Sequence, residues 1–131
     1  MTQQHPLDAA AALTRREDGT WRGATHAAYA NMAGPFGGAT AAALLNAVLL
    51  DERRLADPVA LTVNFCGAVA DGEFDIAARL MRGGKSTQHW SLELTQGDAT
   101  CATASVVCGA RRPTWTHLPA AMPPAVPADH V

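Results

Sequence analysis

The second half of the chain alternates between apolar and polar residues in four runs. Because successive side chains of a strand point to opposite faces, this period of two predicts four strands. The predicted strands cover residues 59–65, 73–82, 86–96 and 99–107. Between them lie Gly72, Gly83, Gly84 and Gly97, which are expected to supply the left-handed backbone positions of tight connections. The last three strands are therefore predicted to form an antiparallel meander.

The third run indicates which face of the sheet is dry. Trp90, Leu92 and Leu94 share one face of this strand. The opposite face carries the polar side chains Thr87, His89, Ser91, Glu93 and Thr95. One side of the sheet is therefore expected to be buried, and the other to meet water or a partner.

The longest apolar stretch precedes these strands. Residues 38–50 are rich in Ala and Leu and apolar on nearly every side, which predicts a buried helix. The charged sequence that begins at Asp51 marks its exit to solvent, and a short strand at residues 19–25 precedes it. One strand, one long buried helix and four antiparallel strands predict an α+β unit in which a sheet of five to six strands wraps around the helix.

A length of 131 residues suits one domain. We expect residues 1–18 to form a short N-terminal helix or surface segment opened by Pro6, and residues 19–112 to form the domain itself. Residues 113–131 are rich in proline and are expected to behave as a stiff linker or tail. Its prolines are Pro113, Pro119, Pro123, Pro124 and Pro127.

Charge and composition exclude several classes of partner. The formal net charge is -2 and Lys85 is the only Lys, so no polybasic run is present to neutralise a nucleic-acid backbone. No apolar run approaches the roughly 20 residues of a membrane span, and the N-terminus lacks the pattern of a signal peptide. The sequence therefore predicts a cytoplasmic protein that binds neither nucleic acid nor membrane.

Metal and cofactor chemistry are not predicted either. Cys66, Cys101 and Cys108 lack the paired close spacing of zinc sites and are expected to be buried free thiols. The five histidines show no ligand spacing. His89 shares a strand face with Ser91 and Glu93, but this spacing is common in ordinary strands and does not indicate a catalytic triad.

A glycine-rich turn leads directly into the apolar helix, with the sequence Gly34-Pro35-Phe36-Gly37-Gly38. It resembles the start of the corresponding helix in the acyl-CoA thioesterase II family. Residues 57–65 and the hairpin sequence Arg-Gly-Gly-Lys-Ser at residues 82–86 extend the resemblance, which covers roughly residues 19–117. The resemblance implies a hotdog fold. Such proteins typically join two hotdog units through a Pro-rich connector and hydrolyse acyl-CoA, and this chain resembles the first unit with its connector.

The resemblance also implies that the catalytic carboxylate comes from the second unit, so no carboxylate is carried over onto this sequence. The predicted catalytic groups are Gly37 and Gly38, whose unpaired N–H groups would stabilise an oxyanion, and Asn46, which would orient a water. Two alternatives stay open: the glycines permit close packing, and Asn46 is a satisfied polar residue that faces a partner helix. Asp51 and Glu52 are expected to be solvated at the helix exit.

Five residues are candidates for substrate binding: Asn31, Phe36, Asn64, Lys85 and Trp90. Lys85, with Arg82, Arg111 and Arg112, would attract the phosphates of CoA. The alternative for Lys85 is a solvated hairpin tip, and for Trp90 a place in the core.

The sequence thus predicts a thioesterase-like hotdog protein that hydrolyses acyl-CoA once a second hotdog unit completes the active site. That unit would be another copy, giving a homodimer, or a separate chain, because pairing removes an exposed sheet edge. The alternative is a non-catalytic acyl- or CoA-binding protein or assembly partner with the same fold.

Overall fold

The computed structural model describes residues 5–130 and places one long helix across a six-stranded antiparallel sheet. Helix α1 covers Pro6–Ala10 and α2 covers Gly37–Leu49, and 3-10 turns cover Ala27–Tyr29 and Ala128–His130. Residues 1–4 and Val131 of the predicted terminal segments lie outside the described residues.

The large sheet has the strand order β1-β2-β6-β7-β8-β5, and a separate two-stranded hairpin consists of β3 and β4. The strands are β1 (Thr14–Arg15), β2 (Trp21–Ala24), β3 (Ala30–Asn31), β4 (Gly34–Pro35), β5 (Pro58–Phe65), β6 (Glu73–Gly83), β7 (Thr87–Gln96) and β8 (Ala99–Gly109). These bounds confirm the four predicted strands and the long helix to within one or two residues. The antiparallel meander is confirmed as β6, β7 and β8, and so is the α+β architecture.

The core lies between α2 and the face of the sheet that packs against it, which we call the helix face. Leu44 and Val48 of α2 are fully buried there with Ile76, Leu92 and Leu94. Burying each such side chain stabilises the fold by about 2 kcal/mol. The predicted dry face of β7 is confirmed, because Trp90, Leu92 and Leu94 alternate with exposed or half-buried polar residues.

Helix α2 departs from the prediction of a helix buried on every side. Ala43, Leu44, Ala47 and Val48 are buried, whereas Leu49 is exposed. The reason is geometric, since a single sheet covers only one face of the helix that lies on it. The composition of residues 38–50 gave no indication of which side that is.

One of the three predicted turns also differs from expectation. Gly72 and Gly97 adopt positive φ angles of 129° and 58°, but Gly83 and Gly84 do not. Between β6 and β7 the chain reverses over three residues, closed by the Gly84 N–H donating to the Thr87 carbonyl at 2.8 Å. This longer connection needs no left-handed residue.

The N-terminal segment is joined to the sheet. Helix α1 ends at Ala10, and β1 pairs with β2 through Thr14 opposite Arg22. The predicted boundary between residues 18 and 19 falls in the turn of this hairpin, and the division into three segments stays a prediction. Cys101 and Cys108 are buried as expected, but Cys66 is exposed just after β5, so its prediction was wrong.

Strand β5 is one edge of the sheet, and its helix face is incompletely covered. Leu61 and Phe65 pair with the fully buried Val106 and Ala102 of β8, so they point to the helix face, yet both are exposed. Residues 110–127 then continue without helix or strand and are exposed throughout. Within the described part of the chain, no helix has both the length and the apolarity of a membrane span.

Candidate functional site

The start of α2 is held in place by a tight turn. Gly34 has a φ of 137°, and an added Cβ would lie 2.6 Å from the carbonyl oxygen of Val69. The Phe36 N–H donates to the Tyr29 carbonyl at 2.7 Å. The glycine therefore lets the β3–β4 hairpin approach the loop that follows β5, and this contact fixes where the helix begins.

The first turn of α2 offers unpaired hydrogen-bond donors. Phe36 is the N-cap residue and provides no side-chain cap, and no acidic side chain lies in the first turn. The first N–H groups of a helix have no partner within it, and the helix dipole makes this end partially positive. Gly37 and Gly38 lie in this turn, so their N–H groups are suited to an oxygen that gains negative charge.

Two aromatic rings contact these glycines. An added Cβ at Gly37 would lie 3.1 Å from the Phe65 ring, and one at Gly38 would overlap the Phe36 ring. Phe36 and Phe65 are 58% and 56% exposed. Because the glycines have no side chains, the two aromatic rings can pack directly against them. This contact agrees with the alternative in which the glycines permit close packing. An oxyanion role for the two N–H groups stays a prediction.

A cavity of about 460 Å³ lies beside this turn, within the usual size range of ligand pockets. Its walls come from residues 25–26, 30–35 and 69–71, and they include the predicted residue Asn31. The Gln96 side chain fixes one wall, because it accepts from the Ala70 N–H at 2.8 Å and donates to the Ala70 carbonyl at 2.9 Å.

Four polar side chains line this cavity: Thr25, His26, Asn31 and Asp71. The His26 Nδ1 accepts the Ala28 N–H at 3.2 Å, so a neutral His26 carries its proton on Nε2 and acts as a donor. The Thr25 hydroxyl donates to the Asp71 carboxylate and accepts from the Gly72 N–H. The cavity is therefore mostly apolar, with a few fixed polar groups.

The other two predicted asparagines lie away from this cavity. Asn46 follows Gly38 by eight residues, which is about 12 Å along the helix axis. Its amide nitrogen donates to the Ala11 carbonyl at 2.8 Å, a contact that holds the end of α1 on α2. Asn64 pairs with Thr103 on the face opposite α2, with 3.5 Å between the Asn64 amide nitrogen and the Thr103 hydroxyl.

Lys85 and Trp90 lie towards the far end of the sheet. The Gln88 amide of β7 donates to the Arg53 carbonyl and accepts from the Leu55 N–H, so the start of β7 lies beside the C-terminal end of α2. Gln96 at the other end of this ten-residue strand is about 30 Å away. Trp90 is fully buried in the core, and Lys85 is exposed in the β6–β7 connection.

The prediction that Asp51 is solvated was wrong, because its carboxylate is buried in an ion pair. Asp51 is 5% exposed, and it accepts hydrogen bonds from Arg53 at 2.8 Å and from Arg15 at 3.3 Å. The Arg53 hydrogen bond is the main cause of a pKa lowered to about 2. Arg15 and Arg53 also stack over the Trp21 and Trp90 rings at 4.7 and 5.2 Å. Asp51 therefore ties the end of α2 to the sheet and is a poor general base.

Sequence reasoning missed Phe65, Val69 and Asp71 as neighbours of the helix start. The sequence pattern indicated that Phe65 is the last residue of a strand and that Asp71 is a turn residue. Their proximity to Gly34 and Gly37 depends on β5 lying at the sheet edge, and no local pattern encodes that. Among the described residues, no group of three His, Cys, Asp or Glu side chains is placed to hold a metal ion.

Comparison with known proteins adds a family match. Residues 25–109 match the family model of the acyl-CoA thioesterase N-terminal domain. This range contains the helix start, the cavity walls and strands β5 to β8. A search of the curated proteins found no match.

Solved structures agree with this match. A conserved protein of unknown function with a hotdog fold from Alicyclobacillus acidocaldarius is 40% identical, with a TM-score of 0.91 over 98% of this chain and 48% of that one. The acyl-CoA thioesterase II of Mycobacterium marinum is 20% identical, with a TM-score of 0.75 over 94% and 46%. A Bacillus halodurans protein solved with CoA is 18% identical, with a TM-score of 0.69 over 87% and 83%. The chain thus spans about half the length of the first two.

Proposed function

This chain belongs to the acyl-CoA thioesterase N-terminal domain family and has the predicted hotdog fold, and on that premise we propose that it hydrolyses acyl-CoA when a second hotdog unit joins it. The observation that carries the proposal is the pairing of an uncapped helix start with a largely apolar cavity of about 460 Å³. The first provides donors for a thioester oxygen, and the second has room for a substrate.

The proposed chemistry begins at the start of α2. The thioester oxygen accepts hydrogen bonds from the N–H groups of Gly37 and Gly38 while water attacks the carbonyl carbon. A base of the second unit takes a proton from this water, and the tetrahedral intermediate then collapses with cleavage of the C–S bond. The CoA thiolate leaves and takes up that proton, and a carboxylic acid remains. Loss of one such donor typically lowers kcat by about a hundredfold to a thousandfold. Asn46 stays a candidate for orienting the water, although the Ala11 carbonyl already engages its amide nitrogen.

Substrate contacts are divided between the two ends of the sheet. Asn31 in the cavity and the exposed Phe36 ring lie next to the helix start, and we assign to them the acyl group and the thioester. Lys85 lies about 30 Å away along β7. The Ala110 N–H donates to the Ser86 carbonyl at 2.8 Å, which brings Arg111 close to the same corner. We assign to this positive corner the electrostatic attraction of CoA phosphates rather than contact with the thioester.

Roles for Trp90 and Asn64 are weaker in this arrangement. Trp90 is fully buried beneath α2, and Asn64 lies on the face of β5 that points away from the helix. Either residue would reach substrate only through a rearrangement or through the second unit. Both therefore rank below Asn31 and Phe36 as binding residues.

The exposed edge of the sheet gives a physical reason for pairing with a second unit. Leu61 and Phe65 of β5 leave apolar surface exposed along an open sheet edge. An unpaired edge strand presents free N–H and C=O groups, and joining two edges satisfies them while burying the adjacent apolar side chains. The relatives of about twice this length have as many further residues as a second unit requires.

The alternative is a protein that binds acyl-CoA or an assembly partner without hydrolysing the thioester. The state of Asp51 favours it, since this carboxylate is held by two arginines and has a pKa of about 2. Asp71 is the carboxylate that faces the cavity within this unit. The effect of substituting Asp71 on hydrolysis therefore distinguishes a general base in this chain from a general base in the second unit.

A hydrolysis assay tests the proposal with short- to long-chain acyl-CoAs. We expect the paired protein to release CoA thiol, Asn31→Ala to raise KM by about tenfold, and Asp71→Asn to lower kcat less than tenfold because the base lies in the second unit. Ser91→Ala on the exposed face of β7 is the control and should change neither constant. A paired protein that binds acyl-CoA without cleaving it would establish the binding alternative. Loss of all hydrolysis in Asp71→Asn would place the base in this chain.

Pairing through β5 is tested by two neighbouring substitutions. Leu61→Lys puts a charge among the exposed apolar side chains of the helix face, so we expect it to shift the paired protein to single units and to lower hydrolysis at least tenfold. Thr62→Lys adds the same charge on the opposite face and should have a much smaller effect. Sedimentation velocity measures the pairing of both variants, and the acyl-CoA assay measures their hydrolysis. Equal effects of the two substitutions would argue against pairing through this surface.

A further inference from the structure

The proline-rich tail carries large apolar side chains that the rest of the chain leaves uncovered. Trp115, Leu118, Met122 and Val126 follow one another at intervals of three or four residues, with exposures from 67% for Val126 to 85% for Met122. Prolines between them favour an extended and stiff backbone. Such a segment cannot fold back to bury its own side chains, so these four side chains need another surface.

The tail begins at a defined place. The Gly109 N–H donates to the Asp57 carbonyl at 3.0 Å, and the Ala110 N–H donates to the Ser86 carbonyl at 2.8 Å. Asp57 immediately precedes β5, so the tail leaves the domain beside the start of the edge strand. From residue 110 to residue 126 an extended segment spans roughly 50 Å. Strand β5 is about 26 Å long, so the tail reaches past its far end.

Two copies that join identical edges about a two-fold axis pair their β5 strands antiparallel. The start of one β5 then lies beside the end of the other. The end of β5 carries Phe65, which contacts Gly37 at the start of α2, and Phe36 is exposed next to it. A tail that leaves beside the start of one β5 therefore arrives at the helix start of the other copy.

We propose that the tail of each copy docks Trp115 and Leu118 against the exposed aromatic side chains Phe36 and Phe65 of a second copy of this chain. The inference rests on the proposed pairing. In such a pair, the tail of one copy forms an additional wall of the candidate site in the other copy. The superposition on the Alicyclobacillus protein covers 98% of this chain and hence includes most of the tail, in a protein with about as many residues again.

Fluorotryptophan labelling tests the proposal on the full chain. Trp21 and Trp90 are buried and Trp115 is exposed, so Trp115→Ser identifies the fluorine resonance of Trp115. We expect this resonance to become shielded from solvent as protein concentration drives pairing. Sedimentation should show Trp115→Ser weakening pairing about tenfold or more, as the loss of an anchoring aromatic does. Thr116→Ser, a polar substitution in the same tail, should leave the pairing constant unchanged.

The docking position has its own test. Phe65→Ser combined with Trp115→Ser should weaken pairing less than the product of the two single effects, because each substitution removes the same contact. Multiplicative effects would overturn the assigned position.

The other outcomes are separable. Pairing that Trp115→Ser leaves intact, with Trp115 still open to solvent, would overturn the tail inference and leave the proposed function standing. Trp115 shielded at every concentration would show docking within one copy and would also overturn it. A chain that stays single at all concentrations would overturn the tail inference, and an acyl-CoA assay with a separate second unit would then judge the proposed function independently.

Discussion

Replacing Gly34 by Ala is expected to lower the free energy of unfolding by about 3 kcal/mol or more. An Ala held at a φ of 137° carries backbone strain of about 1–3 kcal/mol. Its Cβ would also lie 2.6 Å from the backbone oxygen of Val69, which cannot move without shifting the loop after β5. Because this loop forms a wall of the candidate cavity, a variant that still folds should also lose affinity for acyl-CoA.

Gly72→Ala is the matched control for this prediction. Gly72 has a similar φ of 129°, but an added Cβ would meet nothing within 4 Å. Urea unfolding of both variants separates backbone strain, which they share, from the steric clash, which only Gly34→Ala introduces. Equal losses of stability would mean that the loop yields freely, and the rigid turn inferred at the start of α2 would then be wrong.

Asp51→Asn is expected to cost about 2 kcal/mol of stability at neutral pH. The pKa of Asp51 is about 2 in the folded protein, against 3.8 for an unperturbed aspartate. A difference of this size between folded and unfolded states corresponds to about 2 kcal/mol. The physical origin is charge-assisted hydrogen bonding from Arg53 and Arg15 to a nearly buried carboxylate.

The sign of the pH dependence follows from the lowered pKa. The ionised carboxylate is favoured in the folded state, so its contribution is fully present above about pH 4 and is lost as the pH falls towards 2. The difference in unfolding free energy between the original protein and Asp51→Asn should therefore shrink over this window. Asp57→Asn is the control, since Asp57 pairs with Arg54 at an exposed site and should cost less than about 0.5 kcal/mol. A constant difference from pH 7 to pH 2.5 would contradict the assigned role.

These two sites show where sequence reasoning succeeded and where it stopped. Gly34 belongs to the glycine turn that indicated the family, and the structure confirms that a glycine is required there by a positive φ and a close backbone approach. Asp51 was expected in solvent because it follows an apolar helix in a charged stretch. Its burial depends on Arg15, which lies 36 residues earlier and reaches it only because β1 joins the sheet.

The candidate site shows the same division. Phe36, Gly37 and Gly38 are consecutive, so their proximity follows from local sequence, and the turn predicted the start of the helix to within one residue. Phe65 and Asp71 reach this region from a different part of the chain, because β5 crosses to the far edge of the sheet after α2. Lys85 and Asn31 were grouped as substrate contacts, yet about 30 Å of β7 separates their ends of the sheet.

Sequence alone determined the long helix, the four long strands, the meander, the dry face of β7 and the family resemblance, since alternation, turn residues and a short motif are local properties. Tertiary structure alone decided which face of α2 is covered, which strand forms the open edge, and which distant side chains meet at the helix start. Strand order sets all three, and it arises from the simultaneous burial of many separated apolar side chains. For that reason the glycine turn could be recognised from sequence, but its aromatic neighbours and the uncovered surface beside it could not.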